Sequence, residues 1–148
     1  MESVWEDEGL DLRLTPYLAV PTGYERGFIE LVLETDTTAN ITTRYAGGAG
    51  GAFSKEPMAM FLREHNRTEA AYASAVETFC LSLAGYCVAT YVMGIGDRHN
   101  DNVLLARSGH MLHIDFGHFL GNYKSKFGVK RERAPFVFTP DFAHGDPP

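Results

Sequence analysis

Lysine is the scarcest charged residue in this chain of 148, present only as Lys55, Lys124, Lys126 and Lys130. With a net charge of −6, the sequence lacks the general basic excess of a nucleic-acid binder. Between Phe116 and Ala134, however, five bases stand against one acid, a segment of charge +4 against −10 elsewhere, which points to a local anionic partner. Cysteine is nearly absent too. Cys80 and Cys87 are seven residues apart in a helical stretch, roughly 10 Å along a helix axis. A disulfide needs Cα atoms within about 7 Å, so two buried free thiols, as in the cytosol, are expected. Met1 is followed by no basic, apolar and cleavage-site pattern, and a signal peptide is not expected. No charge occurs from Thr78 to Gly96, 19 positions. Ser82, Gly85, Thr90, Gly94 and Gly96 make that run too polar for a membrane span, so a buried core helix is expected. The run Gly47-Gly48-Ala49-Gly50-Gly51 is followed directly by Ala52-Phe53 instead of Lys and Ser/Thr and does not read as a phosphate loop. No internal repeat is visible.

The composition, 45% apolar and 22% charged, is that of one ordinary globular domain. Ser3 to Leu12 reads as the end of a helix closed by Gly9. Leu12 to Val20 and Gly27 to Leu33 read as strands joined by a turn at Pro21-Thr22-Gly23, the second apolar enough to be buried on both faces. Thr35 to Lys55 reads as a loop. Ser54 can cap a short helix with Pro57 in its first turn, ending near Glu64. Thr68 can cap a long one from Glu69 to about Val92, with Tyr72, Val76, Phe79, Leu83 and Tyr86 as its apolar stripe. Ala84, Gly85 and Ala89 would let neighbouring helices approach.

The chemistry concentrates after that helix. Gly94-Ile95-Gly96-Asp97-Arg98-His99-Asn100-Asp101-Asn102 leads into an apolar hairpin, Val103 to Ala106 and Met111 to Ile114, with Ser108-Gly109 at its turn. Asp115-Phe116-Gly117-His118 follows. Asp97 and His99 offer a base and a proton carrier on one short loop. Asn102 offers a neutral oxygen ligand and Asp115 a charged one. Mg²⁺ takes few protein oxygens and fills its other positions with water and substrate phosphates. A base, a positioning network and two such ligands make the catalytic half of a phosphoryl-transfer site.

In this order the motifs resemble those of kinases, with the His-Arg-Asp triplet inverted to Asp97-Arg98-His99. The inversion resembles the phosphoinositide 3- and 4-kinase superfamily, and the two segments together resemble the class I phosphoinositide 3-kinases, from about Trp5 to Phe142. That resemblance implies an α+β, protein-kinase-like fold in part: residues 1–34 as the end of the small lobe and the hinge, residues 35–148 as the large lobe with catalytic and activation loops. It implies ATP and Mg²⁺, with Asn102 and Asp115 as metal ligands. It also places Ile29 as gatekeeper, Glu30 and Val32 as backbone partners of adenine, and Tyr17 beside the adenine pocket. Asp97, His99 and His118 are all candidates for base or phosphoryl stabiliser, and a histidine pKa suits either histidine to take a proton. Arg98 reads as an anchor of its loop. Gly117 to Thr139 matches the activation loop, in which Lys124, Lys126, Lys130, Arg131 and Arg133 would cradle inositol phosphates.

The implied reaction is transfer of the ATP γ-phosphate to the 3-hydroxyl of phosphatidylinositol 4,5-bisphosphate, by a cytoplasmic protein peripheral to membranes. The partner would be a phosphoinositide in a membrane surface. A regulatory subunit could be held by regions outside this chain, and no nucleic acid is expected. The glycine-rich phosphate loop and the strand lysine of a complete kinase are not found here. Two alternatives therefore stand: a truncated, inactive piece acting at most as a binding module, or a protein kinase of the same superfamily. Ala143 to Pro148 matches nothing.

Overall fold

The computed structural model describes residues 2–46, 56–117, 125–126, 129–130 and 142. Its centre is the long helix expected from the sequence. α1 (Glu2–Asp7), β1 (Ala19–Gly23), β2 (Arg26–Ile29), β3 (Thr35–Thr37), α2 (Thr38–Ala46) and α3 (Pro57–His65) precede it. α4 itself runs Glu69–Val92, opened by the Thr68 hydroxyl accepting from the Ala71 N–H at 3.2 Å. By length and composition α4 could cross a membrane, but 56% of its most apolar window is buried inside the protein. Val76, Phe79, Leu83 and Tyr86 of the expected stripe are buried and Tyr72 packs at its edge.

β4 (Val103–Ala106) and β5 (Met111–His113) form the expected hairpin, and β3 pairs antiparallel with β4 to complete a three-stranded sheet in the order β3-β4-β5. One core joins this sheet to the helices: Ile41 of α2, Phe61 and Leu62 of α3, Phe79 of α4, Leu105 and Met111 of the hairpin, and Phe142. The hairpin turn lies directly on α4. Gly109, at φ +96, is so close that a Cβ would stand 2.0 Å from the Ala75 carbonyl oxygen. Nearby, the buried Ser82 hydroxyl accepts the Met111 N–H at 2.9 Å. Helices and small sheets thus make up the fold.

Several expectations are corrected. Residues 12–18 are not a strand. Pro16 supplies no N–H, and Leu12 and Leu14 instead lie over Gly85 of α4, where a Cβ would meet Leu14 Cδ2 at 2.9 Å. The small residue on α4 thus admits the N-terminal segment, and with it Trp5 of the neighbouring helix α1 at 3.4 Å, whereas Ala84 is exposed. The second strand stops at Ile29 and is exposed throughout. Leu31 beyond it is 82% exposed. No layer covers this apolar hairpin among the described residues, so its burial is not met. The turn falls at Tyr24-Glu25, with Gly23 still in β1.

The stretch read as a loop from Thr35 holds β3 and α2. The Thr37 hydroxyl accepts from the Asn40 N–H at 3.1 Å and opens α2, an N-cap of the ordinary kind. The glycine run and Ser54 lie outside the described residues. α3 begins at Pro57 with Glu56 at its N-cap and no side-chain cap bond. Neither cysteine is in a disulfide, as expected, but Cys80 is exposed and only Cys87 is partly buried.

Candidate active site

α4 is capped by Met93, and Gly94, at φ +55, reverses the chain. The Ile95 N–H donates to the Thr90 carbonyl at 2.9 Å, which buries Ile95 and fixes where the next loop starts. That loop is held from three sides. From α2, the Thr38 hydroxyl and the Ala39 N–H both donate to the Asn100 carbonyl, at 2.9 and 3.1 Å. Within the loop, the Asn102 N–H donates to the His99 carbonyl at 2.8 Å and Asn102 Nδ2 to the Asp97 carbonyl at 2.9 Å. From the hairpin, the Ile114 N–H donates to the Asn102 carbonyl at 3.0 Å. Asn102 therefore stands one residue before β4, opposite Ile114, and Asp115 follows at once.

Arg98 is the anchor that its position suggested. It is 8% exposed. Nε donates to the Gly96 carbonyl at 2.8 Å, one terminal nitrogen to the Ile114 carbonyl at 2.6 Å and the other to the Asp115 carbonyl. Its guanidinium also lies over the Phe116 ring, 5.4 Å from the centroid. Asp97 and Asp115 both have left-handed backbone, at φ +60 and +58, a region that non-glycine residues seldom occupy. His99 is exposed. Its Nδ1 accepts from the Asp101 N–H at 3.3 Å and lies 3.6 Å from the Asp101 carboxylate. Accepting at Nδ1 places the neutral ring's proton on Nε2.

Beside this loop is a cavity of about 470 Å³, lined by Thr15, Pro16, Tyr17, Ala19, Ile29, Tyr86, Asp115 and Phe116. Its walls are mostly apolar, and Asp115 is the one carboxylate among the described residues that line it. The Tyr17 hydroxyl donates to the His113 carbonyl at 3.2 Å. Burial raises the Tyr17 pKa, with Arg98 opposing and Asp115 adding to the rise. Burial likewise pushes Tyr86 up to about 12. His113 stacks on Tyr86 with ring centroids 4.9 Å apart. Burial, and then the nearby Arg98 charge, lower its pKa to about 4, and its buried Nδ1 has no hydrogen-bond partner among the described residues.

Tyr17 and Ile29 line the cavity together with Asp115, and Asp97, His99 and Asn102 gather on the adjoining loop. Glu30 and Val32 lie just past β2, outside the lining. The Glu30 N–H donates to the Leu18 carbonyl at 2.8 Å, its carboxylate accepts the Leu18 N–H at 2.9 Å, and the Val32 carbonyl accepts the Thr35 hydroxyl at 2.9 Å. His118, Lys124, Arg131 and Arg133 lie outside the described residues. Lys126 and Lys130 stand on a short antiparallel pair, β6 (Ser125–Lys126) and β7 (Val129–Lys130). Thr38, Thr15, Pro16, Ala19 and Tyr86 were not anticipated. Thr38 alone had a readable signal, a run of capping residues before a helix.

The donor set suits a hard cation. Asn102 spends its amide N–H on Asp97, which leaves Oδ1 as the atom to offer, and Asp115 adds an exposed carboxylate. Among the described residues no three His, Cys, Asp or Glu side chains gather as a metal site. Two oxygens suit Mg²⁺, which completes its shell from water and phosphate, better than metals held by a full protein cage.

A family profile described as phosphatidylinositol 3- and 4-kinase matches residues 1–145. The chain belongs to the phosphatidylinositol 3- and 4-kinase family. Over 144 residues it is 58% identical to phosphatidylinositol 3-kinase 1 of Dictyostelium discoideum, covering 97% of this chain and 9% of that protein. It is 56% identical over 142 residues to phosphatidylinositol 3-kinase 2 of the same organism, covering 96% and 8%. The "phosphatidylinositol 4-phosphate 3-kinase C2 domain-containing subunit alpha" of Pongo abelii is 49% identical over 144 residues, covering 97% and 8%. This family member therefore spans less than a tenth of the length of the relatives it matches. The Asp97-to-Asp115 segment and the cavity both fall within the matched residues.

Proposed function

We propose that these residues form the catalytic loop, metal ligands and part of the nucleotide pocket of a phosphatidylinositol 3-kinase. In this reading residues 1–34 end a small lobe and supply the hinge, and residues 35–148 belong to the large lobe. The observation that carries it is the junction of two features. Asn102 and the residue before Asp115 are hydrogen-bonded across the hairpin, and Asp115 opens onto an apolar cavity walled by Tyr17 and Ile29. Adenine would lie against Tyr17 and Ile29. The Glu30 carbonyl and Val32 N–H would meet its edge, since the opposite groups of both residues are already bonded.

Asn102 Oδ1 and the Asp115 carboxylate would hold Mg²⁺, which when bound neutralises charge on the β- and γ-phosphates. The lipid 3-hydroxyl forms a bond to the γ-phosphorus as the bond from that phosphorus to the β,γ-bridging oxygen breaks. The hydroxyl proton passes to Asp97, His99 or His118. Lys124, Lys126, Lys130, Arg131 and Arg133 would receive the headgroup phosphates at the surface of a cytoplasmic membrane leaflet.

Phosphatidylinositol 4,5-bisphosphate is the substrate read from the basic loop. The name of the Pongo relative favours a second, phosphatidylinositol 4-phosphate. Turnover of labelled ATP on matched vesicles of phosphatidylinositol, its 4-phosphate and its 4,5-bisphosphate tests both. Lys124→Ala with Lys126→Ala should cost the preferred phosphorylated lipid about tenfold more than the plain lipid. An equal loss on all three would reduce the lysines to general membrane attraction. Asp115→Asn should abolish transfer with no loss of melting temperature, and parental turnover in that variant would refute the metal assignment.

A further inference from the structure

Three successive carbonyls, those of His113, Ile114 and Asp115, each accept a hydrogen bond from a side chain outside the hairpin. Tyr17 donates to the first, and the two terminal nitrogens of Arg98 donate to the second and third. The third carbonyl belongs to a residue at φ +58. An aspartate in that basin stands about 1–2 kcal/mol above its ordinary conformations, so something must hold it there. Rotation of the Asp115 backbone to an ordinary basin would redirect its carboxylate. Arg98 also fixes its own loop through the Gly96 carbonyl, so one planar group links the Asp97-His99 loop to the segment carrying Asp115.

We propose that Arg98 is a positioning residue for the cation site, and that its guanidinium, seconded by the Tyr17 hydroxyl, holds Asp115 in its left-handed backbone and aims its carboxylate at the cation. The inference rests on the proposed function, in which Asp115 is a metal ligand. Electrostatics alone argues the other way. A buried positive charge beside a divalent cation repels it, so removing that charge should tighten binding if Arg98 contributed only its field. Removing the brace should weaken binding. The two accounts differ in sign.

The test is Mn²⁺ affinity, read from water-proton relaxation, beside adenosine affinity read by calorimetry, on the parent, Arg98→Gln and Arg98→Lys. Loss of outer-shell support commonly costs a metal site 10–100-fold, so Arg98→Gln should weaken Mn²⁺ binding by about tenfold or more. Adenosine affinity should fall far less than Mn²⁺ affinity, because Arg98 is not among the lining residues and reaches the cavity only through Asp115 and Phe116. Lysine keeps the charge but cannot match two successive carbonyls with a planar fork, so Arg98→Lys should recover only part of the loss. Unchanged or tighter Mn²⁺ binding in a folded Arg98→Gln protein overturns the brace, and so does a parallel loss of both ligands. Should Arg98→Gln fail to fold, Tyr17→Phe removes one of the three donors. Weaker Mn²⁺ binding in that variant supports the brace and parental binding overturns it. A parent that binds neither adenosine nor Mn²⁺ would refute the proposed function and the brace with it. A parent that binds both, beside an unaffected Arg98→Gln, would refute the brace alone.

Discussion

Ser82→Ala should destabilise the protein far more than removal of the other fully buried hydroxyl on the same helix, that of Thr90. Both side chains are almost wholly out of solvent, at 0% and 1% exposure. Both donate back to their own helix, Ser82 to the Thr78 carbonyl at 2.8 Å and Thr90 to the Tyr86 carbonyl at 2.7 Å. The α-helix satisfies those carbonyls without them. Ser82 differs in one respect: its oxygen also accepts the Met111 N–H of β5. Met111 is 0% exposed, so deleting the acceptor leaves a buried backbone donor with no water to replace it, at a cost of about 1–3 kcal/mol. The better helix propensity of alanine offsets about 0.5 kcal/mol of this. Thr90→Val keeps the side-chain shape and orphans nothing, and should fall within about 1 kcal/mol of the parent. Urea titrations should then place the Ser82→Ala midpoint below that of Thr90→Val by about 0.5–1 M, for a slope of about 2 kcal/mol/M. Amide exchange at Met111 should accelerate beyond what the global loss explains. Equal midpoints for the two variants, or unchanged relative protection at Met111, would refute the reasoning.

Gly109→Ala combines a positive φ with a Cβ aimed at the Ala75 carbonyl. It should cost about 2–5 kcal/mol in denaturant titrations, and a loss under 1 kcal/mol would show that the turn can lift off α4 freely. Folded protein prepared without reductant should show one fast thiol, Cys80, and one slow, Cys87, whose pKa burial raises. A disulfide, or equal rates, would contradict the helix faces assigned to them. His113 gives a pH signature. Its folded pKa of about 4 lies below the ordinary 6.5, so unfolding takes up a proton between those values. Its contribution is complete above about pH 6.5 and is lost as pH falls toward 4, up to about 3 kcal/mol in all. His113→Gln should flatten that part of the stability profile in chelator-containing buffer, and a parental slope in the variant would refute the assignment.

The parts legible from sequence were those whose partners lie close along the chain. α4 announced itself through the Thr68 cap and its stripe, and the β4-β5 hairpin through an apolar pattern around Ser108-Gly109. The order Asp97, Asn102, Asp115 was readable because a hairpin joins its members, and Arg98 was readable as an anchor because it lies between them. The cavity was half legible. Tyr17 and Ile29 came by resemblance, whereas Thr15, Pro16 and Tyr86 meet there only through the path of residues 12–18 over α4. That path depends on Gly85 accepting Leu14, a contact between positions 71 apart. α2 was missed because the glycine run after it made the whole stretch look irregular, although Thr37 and Thr38 carried the capping signal. The burial of Phe28 to Leu33 was misjudged because an apolar strand records what it can cover, and says nothing of which residues are present to cover it.

The left-handed backbone at Asp97 and Asp115 has an evolutionary consequence. Asparagine and glycine enter that basin at less cost than most residues, so the easiest replacements at both positions keep the backbone that each turn needs while removing the carboxylate. A copy of this chain released from selection for chemistry would meet no backbone penalty as it lost these two acids. Silent descendants with the same backbone are therefore an accessible outcome for this sequence, and under the proposed function the persistence of both aspartates in any one copy would mark selection on chemistry beyond what the turns require.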